Sequence, residues 1–282
     1  MASDLAHLPT WPVQAVGSPL HPAVVFLHGF MGNREDWHFL LPEFAENFYC
    51  ILLDLPGHGQ NQGNLPAEPL TFAWLSTSLE QVLNKLRLPA VHLVGYSMGG
   101  RLALYFTVYY PQRVKSLVLE SASPGLANLA VREARLQEDK KRAERLKEIG
   151  MKRFLDEWYG MPLFNSLQKR PDILDELKLR RQDNDPYELA RIIAELSPGQ
   201  QPDLWGDLED ISIPVLLLAG EQDEKYSHLV QEMAKQIPQV WVSLASVGGH
   251  NLHLEVPDWY IQQLRDFLVN ISRNSRHHTD SL

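Results

Sequence analysis

Val91-His92-Leu93-Val94-Gly95-Tyr96-Ser97-Met98-Gly99-Gly100-Arg101-Leu102-Ala103-Leu104 is the stretch on which the fold turns. Val91 to Val94 reads as a strand, and Gly100 to Leu104 as the opening of a helix. Between them, Gly95-Tyr96-Ser97-Met98-Gly99 fits the pattern G-x-S-x-G of a nucleophile elbow. Small residues on either side of Ser97 allow a sharp strand-to-helix turn that pushes the hydroxyl outward. The helix start leaves the Met98 N–H without a partner in its own helix and free to face developing negative charge. The bare pattern is common by chance. Its flanking strand and helix give it meaning.

The same alternation extends in both directions. Val24 to Leu27 runs into His28-Gly29-Phe30, Cys50 to Leu53 into Asp54-Leu55-Pro56-Gly57-His58-Gly59, and Val114 to Leu119 into Glu120-Ser121. Later, Pro214 to Ala219 precedes Gly220-Glu221-Gln222-Asp223, and Val240 to Leu244 precedes Gly248-Gly249-His250. Such runs predict strands buried on both faces of a mostly parallel sheet, with helices above and below. The expected class is α/β, with its site at the carboxyl ends of the strands. From about Ala127 to Pro202 the strand-like runs stop. Leu136, Ala143, Leu146 and Ile149 recur at roughly helical spacing, and Pro162, Pro171, Pro186 and Pro198 divide the segment into several helices. The reading is an all-helical cap, 127–202, inserted between two strands of a core formed by 1–126 and 203–271. A solvated helical extension fits less well, because Phe154, Trp158, Tyr159 and Phe164 lie in the segment. The polar tail 272–282 is expected to fray, and its His277-His278 pair is not read as a metal site.

The 282 residues are 44% hydrophobic and 22% charged, an ordinary globular composition with room for one large core and an insert. A net charge of −9 argues against a nucleic-acid partner and requires any anionic substrate to be met by locally placed Lys or Arg. The single cysteine, Cys50, excludes an internal disulfide, and its apolar run reads as buried strand rather than as a nucleophile. Met1 to Val13 shows neither a basic nor an apolar leader region, and no apolar run is long enough to span a bilayer. A cytoplasmic protein without a membrane partner is expected. No residues have metal-ligand spacing and no phosphate-binding glycine loop is present, so neither metal nor cofactor is expected. The oligomeric state is not legible.

A serine of ordinary pKa needs a base, and the base an orienting acid. With a nucleophile elbow the expected chain order is Ser, then Asp or Glu, then His. Asp223 and His250 follow the last two strands, on the sheet edge that carries Ser97. Asp54 also ends a strand but precedes Ser97 in a Leu-Pro-Gly-His-Gly loop, where a turn role fits better. His253 is second choice for the base. His28 and His58 adjoin glycine turns and read as loop stabilisers. The second oxyanion donor is expected from the backbone N–H of Phe30.

Longer segments carry a resemblance. They are His28-Gly29-Phe30-Met31-Gly32 with Asp36-Trp37, Gly95 to Arg101, Glu120-Ser121-Ala122-Ser123-Pro124-Gly125-Leu126, and Ala134-Arg135-Leu136-Gln137-Glu138-Asp139. Further on come Glu157-Trp158-Tyr159-Gly160-Met161-Pro162, Leu179-Arg180-Arg181 before Leu189-Ala190, Gly220 to Asp223 with Lys225-Tyr226, and Gly249-His250-Asn251-Leu252-His253. Together they resemble the 2-succinyl-6-hydroxy-2,4-cyclohexadiene-1-carboxylate synthases of menaquinone and phylloquinone biosynthesis, a family with the α/β-hydrolase fold. The resemblance implies a lyase that removes pyruvate from a cyclohexene tricarboxylate, with Ser97 acting as a base. It also implies Arg101, Arg135 and Arg181 as ligands of substrate carboxylates, with Tyr96 and Trp158 lining the pocket. Arg180, adjacent to Arg181, competes for that role. Gln222 stands where several relatives have Arg and is read as peripheral; Val256 precedes Pro257 where a polar residue is common. Two other readings are weighed: a serine carboxylesterase or carbon–carbon bond hydrolase acting on a small acidic substrate, and a non-catalytic scaffold.

Overall fold

The computed structural model describes residues 11–279, with side chains through residue 271. The leaderless reading of Met1 to Thr10 lies outside these residues, as does the end of the polar tail, 280–282. Seven strands form one sheet: β1 (Val13–Val16), β2 (Ala23–Leu27), β3 (Tyr49–Leu53), β4 (Val91–Tyr96), β5 (Val114–Glu120), β6 (Val215–Gly220) and β7 (Val240–Ala245). Their spatial order is β1-β3-β2-β4-β5-β6-β7. Every neighbouring pair is parallel except β1 with β3.

The helices are α1 (Leu41–Phe44), α2 (Phe72–Lys85), α3 (Met98–Tyr109), α4 (Leu129–Tyr159), α5 (Pro171–Arg181), α6 (Pro186–Glu195), α7 (Glu224–Ala234), α8 (Leu252–Glu255) and α9 (Pro257–Thr279). The two-residue period of the strands sorts the core into layers. Val25, Leu27, Leu93, Leu117, Leu119 and Leu217 pack on one face, against α2 and α3 residues such as Leu79 and Phe106. Val24, Phe26, Val94, Val118 and Leu218 pack on the other, against Trp37, Phe44, Tyr260 and Leu264. Covered faces explain why the central strands are near-continuous apolar runs.

Two strands depart from the sequence reading. β1 gives no strand signal because it is a four-residue antiparallel edge with an exposed Ala15. β7, read as buried on both faces, is the opposite edge, and its Trp241 and Val242 are exposed. Edge strands lack a neighbour on one side, so apolar content overstates their burial.

Between β5 and β6 there are only helices and turns. Pro171 and Pro186 open α5 and α6, where the missing N–H costs nothing. Asp185 caps α6 by accepting from the amides of Tyr187 and Glu188. Gly150 breaks α4 with φ 71°, a left-handed conformation that suits glycine. Apolar side chains of both helices hold α4 against α6, among them Ala143, Leu146, Leu189 and Ile193. At the chain's end α9 continues through 272–279, the stretch read as a polar tail. Among the described residues no helix is long and apolar enough to cross a membrane. Cys50 is buried in β3, and burial pushes its thiol up to about 12.

Candidate active site

Ser97 sits between the end of β4 and the start of α3 with φ 48° and ψ −107°. A non-glycine residue there stores on the order of 1–3 kcal/mol of strain, so the surroundings must impose it. Two backbone bonds do so: Ser97 N donates to Glu120 O at 2.9 Å, and Arg101 N donates to Ser97 O at 2.9 Å. Glycine is required on both sides. A Cβ on Gly99 would lie 2.4 Å from Leu27 O, and one on Gly95 would lie 2.6 Å from Gly100 Cα.

The other strand ends complete the constellation. His250 Nδ1 donates to Asp223 Oδ2 at 2.7 Å, and His250 Nε2 lies 3.2 Å from Ser97 Oγ. With its proton on Nδ1, the imidazole presents a lone pair at Nε2 to the serine hydroxyl. Asp223 Oδ1 accepts from Tyr226 N at 3.2 Å, so the carboxylate that orients His250 also caps α7. Glu255, which the sequence reading passed over, accepts from Gly249 N and Asn251 N at 3.1 Å each, on either side of His250. Its place one turn beyond a strand-end histidine was the available signal.

His253 is committed elsewhere. Its Nδ1 lies 2.9 Å from both oxygens of the buried Glu120, and its backbone N donates to Glu120 Oε1. His28 Nε2 accepts from Leu55 N, and His58 Nε2 accepts from Met31 N, so both rings hold loops. Burial lowers the pKa of His28, and burial and then the neighbouring His28 hold that of His58 below its ordinary value. Both rings are therefore kept neutral. Asp54 accepts from Arg34 N and Gln60 N, a turn role.

A cavity of about 740 Å³ opens above Ser97, between the strand ends and the inserted helices. All ten residues singled out in the sequence line it: Ser97, Asp223, His250, Phe30, Met98, Arg101, Arg135, Arg181, Tyr96 and Trp158. Gln222, read as peripheral, lines it too, because the β6 end loop carries Gln222 and Asp223 together. Arg142, which the sequence did not single out, lines it as well, as do Asp139 and Lys225, which stand in the segments that carry the resemblance but had no role assigned. Arg142 and Asp139 lie on charged helical sequence that reads as solvated face, and only the fold of α4 onto α6 turns them inward.

The arginines sit in unlike settings. Arg101, one turn into α3, donates through Nη1 to Leu196 O at 2.8 Å, and Gln201 Oε1 lies 3.4 Å away. No ion pair engages it among the described residues, and burial lowers its pKa to about 10, still charged at neutral pH. Arg181 is buried and bonds the Tyr159 hydroxyl and Asp36 Oδ2. Burial alone would raise the Asp36 carboxyl, but Arg181, then His253 and Arg180, hold it below its ordinary value. Arg180 reaches the other oxygen of Asp36 from a separate surface pocket and does not line the cavity. That geometry favours Arg181 over Arg180. Among the described residues no group of three or more His, Cys, Asp or Glu could hold a metal ion.

Comparison with known proteins places this geometry. Residues 22–257 match the family model of the alpha/beta hydrolase fold. A Bacillus subtilis (strain 168) protein, provisionally named a 2-succinyl-6-hydroxy-2,4-cyclohexadiene-1-carboxylate synthase, is 37% identical over 250 residues, 88% of this chain and 91% of its own. The synthase of that name from Yersinia pseudotuberculosis (serotype O:1b) is 34% identical over 260 residues, 90% of this chain and 92% of its own. Among solved structures, MenH from S. aureus superposes with a TM-score of 0.88 at 33% identity, covering 92% of this chain and 98% of that one.

Proposed function

The chain belongs to the 2-succinyl-6-hydroxy-2,4-cyclohexadiene-1-carboxylate synthase family on the α/β-hydrolase fold, and from that premise we propose that it eliminates pyruvate from 2-succinyl-5-enolpyruvyl-6-hydroxy-3-cyclohexene-1-carboxylate. The reaction is a step of menaquinone or phylloquinone biosynthesis, and a cytoplasmic setting suits a chain with one buried cysteine.

The observation that carries this reading is the pairing of Ser97–His250 with a cation-rich cavity. In the substrate the ring proton at C2 is adjacent to the succinyl carbonyl and allylic to the ring double bond. Ser97 Oγ takes that proton while its own passes to His250 Nε2, and Asp223 stabilises the resulting imidazolium. The electron pair moves first onto the succinyl oxygen, held by the N–H groups of Met98 and Phe30. It then returns through the ring, shifting the double bond and breaking the C5–O bond. Enolpyruvate leaves as its anion and takes up at carbon the one proton that His250 gives up, becoming pyruvate and returning His250 to its neutral state. No covalent acyl-enzyme forms.

The three substrate carboxylates need cations in a molecule of net charge −9. Arg101, Arg135 and Arg181 supply the positive charge. Arg135, whose terminal nitrogens lie outside its bond to Asp139, can meet a carboxylate with two parallel bonds. Arg101 and Arg181, with terminal nitrogens already engaged by Leu196 O and by Tyr159 and Asp36, act chiefly through their charge. Tyr96 and Trp158 line the cavity and offer aromatic surface to the ring. An esterase or carbon–carbon hydrolase would use Ser97 as a covalent nucleophile, but a neutral ester needs no arginines. The test is to incubate the folded protein with the enolpyruvyl precursor and follow pyruvate. Release at a catalytic rate is expected; none from folded protein would defeat the reading.

A further inference from the structure

Asp139 is a cap carboxylate with a side chain only 1% exposed, yet it lines a cavity that must receive a polyanion. A buried charge of the substrate's own sign weakens binding unless it is compensated. It is compensated twice over. Oδ2 accepts from Arg135 Nε at 2.8 Å and from the Ser197 hydroxyl at 2.7 Å, and Oδ1 accepts from Arg142 Nη1 at 2.8 Å.

The pattern of atoms matters. Arg135 gives Asp139 its Nε, which leaves its two terminal nitrogens outside that bond, on a side chain that lines the cavity. With Asp139 alone, however, Arg135 would form a pair of zero net charge. Arg142 adds a second cation to the same carboxylate and returns the cluster to +1. Its other terminal nitrogen bonds Glu138, whose side chain is 53% exposed, so that negative charge is largely screened by water.

We propose that Arg142 is a positioning residue for substrate recognition: by neutralising the buried Asp139 it frees the charge of Arg135 for a substrate carboxylate. This rests on reading the cavity as a tricarboxylate site. Arg142 lines the cavity with both terminal nitrogens already engaged, by Asp139 and Glu138, so it acts through Arg135 rather than by a substrate contact of its own. Its effect disappears when the charge it offsets is removed.

The experiment measures pyruvate release by wild type, Arg142→Gln, Arg142→Lys, and the double variant Asp139→Asn with Arg142→Gln, each checked for a cooperative melt. Arg142→Gln is expected to raise KM about tenfold with kcat within about twofold, the scale of one unit charge acting over a few ångströms at a partly buried site. Arg142→Lys retains most of the wild-type KM. The double variant recovers KM toward wild type. An unchanged KM in Arg142→Gln overturns the proposal, as does a Lys variant as poor as Gln or a folded double variant that recovers nothing. If the double variant does not fold, the salt dependence of KM decides. It should be shallower for Arg142→Gln than for wild type, and equal slopes overturn the proposal. Absence of pyruvate release by wild type would instead defeat the reaction itself, and the proposal with it.

Discussion

The floor and the roof of the cavity are built by different means. On the floor, Ser97, Asp223 and His250 stand on turns at the ends of β4, β6 and β7, and backbone geometry leaves little freedom. At Gly99 even one methyl group would collide with a carbonyl of β2. On the roof, the charged groups are long side chains of α4 and α5, which reach the cavity only because buried acids hold them. Asp36 holds Arg181, and Asp139 holds Arg135 and Arg142. Proton transfer needs atoms fixed to fractions of an ångström, which strand-end turns supply. Recognition of several carboxylates, the role proposed for the roof, needs charge in a loosely defined volume, for which paired arginines are suited.

Loss of floor chemistry is expected to be the larger effect. Ser97→Ala should lower kcat by about a thousandfold or more while leaving product binding by titration calorimetry nearly intact. A variant that kept substantial turnover would remove Ser97 from the reaction. Backbone substitutions sharpen the contrast. Gly99→Ala should cost about 3 kcal/mol or more, or prevent folding, because its neighbours are backbone atoms. Gly150→Ala, at φ 71° and ψ 172° with open space around it, should cost less, about 1–3 kcal/mol from backbone strain alone. Denaturant melts would distinguish the two, and equal losses would mean that the floor is no more constrained than the roof.

On the roof, Arg135→Ala should raise KM roughly 10- to 100-fold, the range of one lost charge-assisted bond, with a much smaller change in kcat. A fall in kcat alone would place Arg135 with the reacting atoms rather than with recognition. The smallest effect concerns His28 and His58 beneath the floor. Both have folded-state pKa values below the ordinary 6.5, so the unfolded chain binds protons that the folded one refuses. Stability is therefore full above pH 6.5 and declines as pH falls below it. Thermal melts should shift downward between pH 7 and pH 5, and a flat profile would show that these rings accept protons when folded.

Legibility in the sequence followed the same division. Ser97, Asp223 and His250 could be read because a strand ending in a turn leaves a local signature and the chain order does the rest. Arg101 is tied to the elbow by its one-turn spacing. Arg142 left no such mark, and Asp139 stood in a quoted segment without a legible role, since their inward orientation depends on α4 packing against α6, a long-range contact. Gln222 was misjudged for a related reason: a difference from relatives says nothing about where a side chain faces. β1 and the outer face of β7 were obscured because an edge strand and a central strand share residue types and differ only in neighbours.

The central claim is that Ser97 acts as a base and not as a covalent nucleophile. It is tested most directly by quenching a single turnover of the enolpyruvyl cyclohexene substrate and measuring pyruvate and intact protein mass in the same sample. Pyruvate equal to the substrate consumed, with every protein molecule at its unmodified mass throughout, is the expected result. A transient mass increment mapping to Ser97 would contradict it.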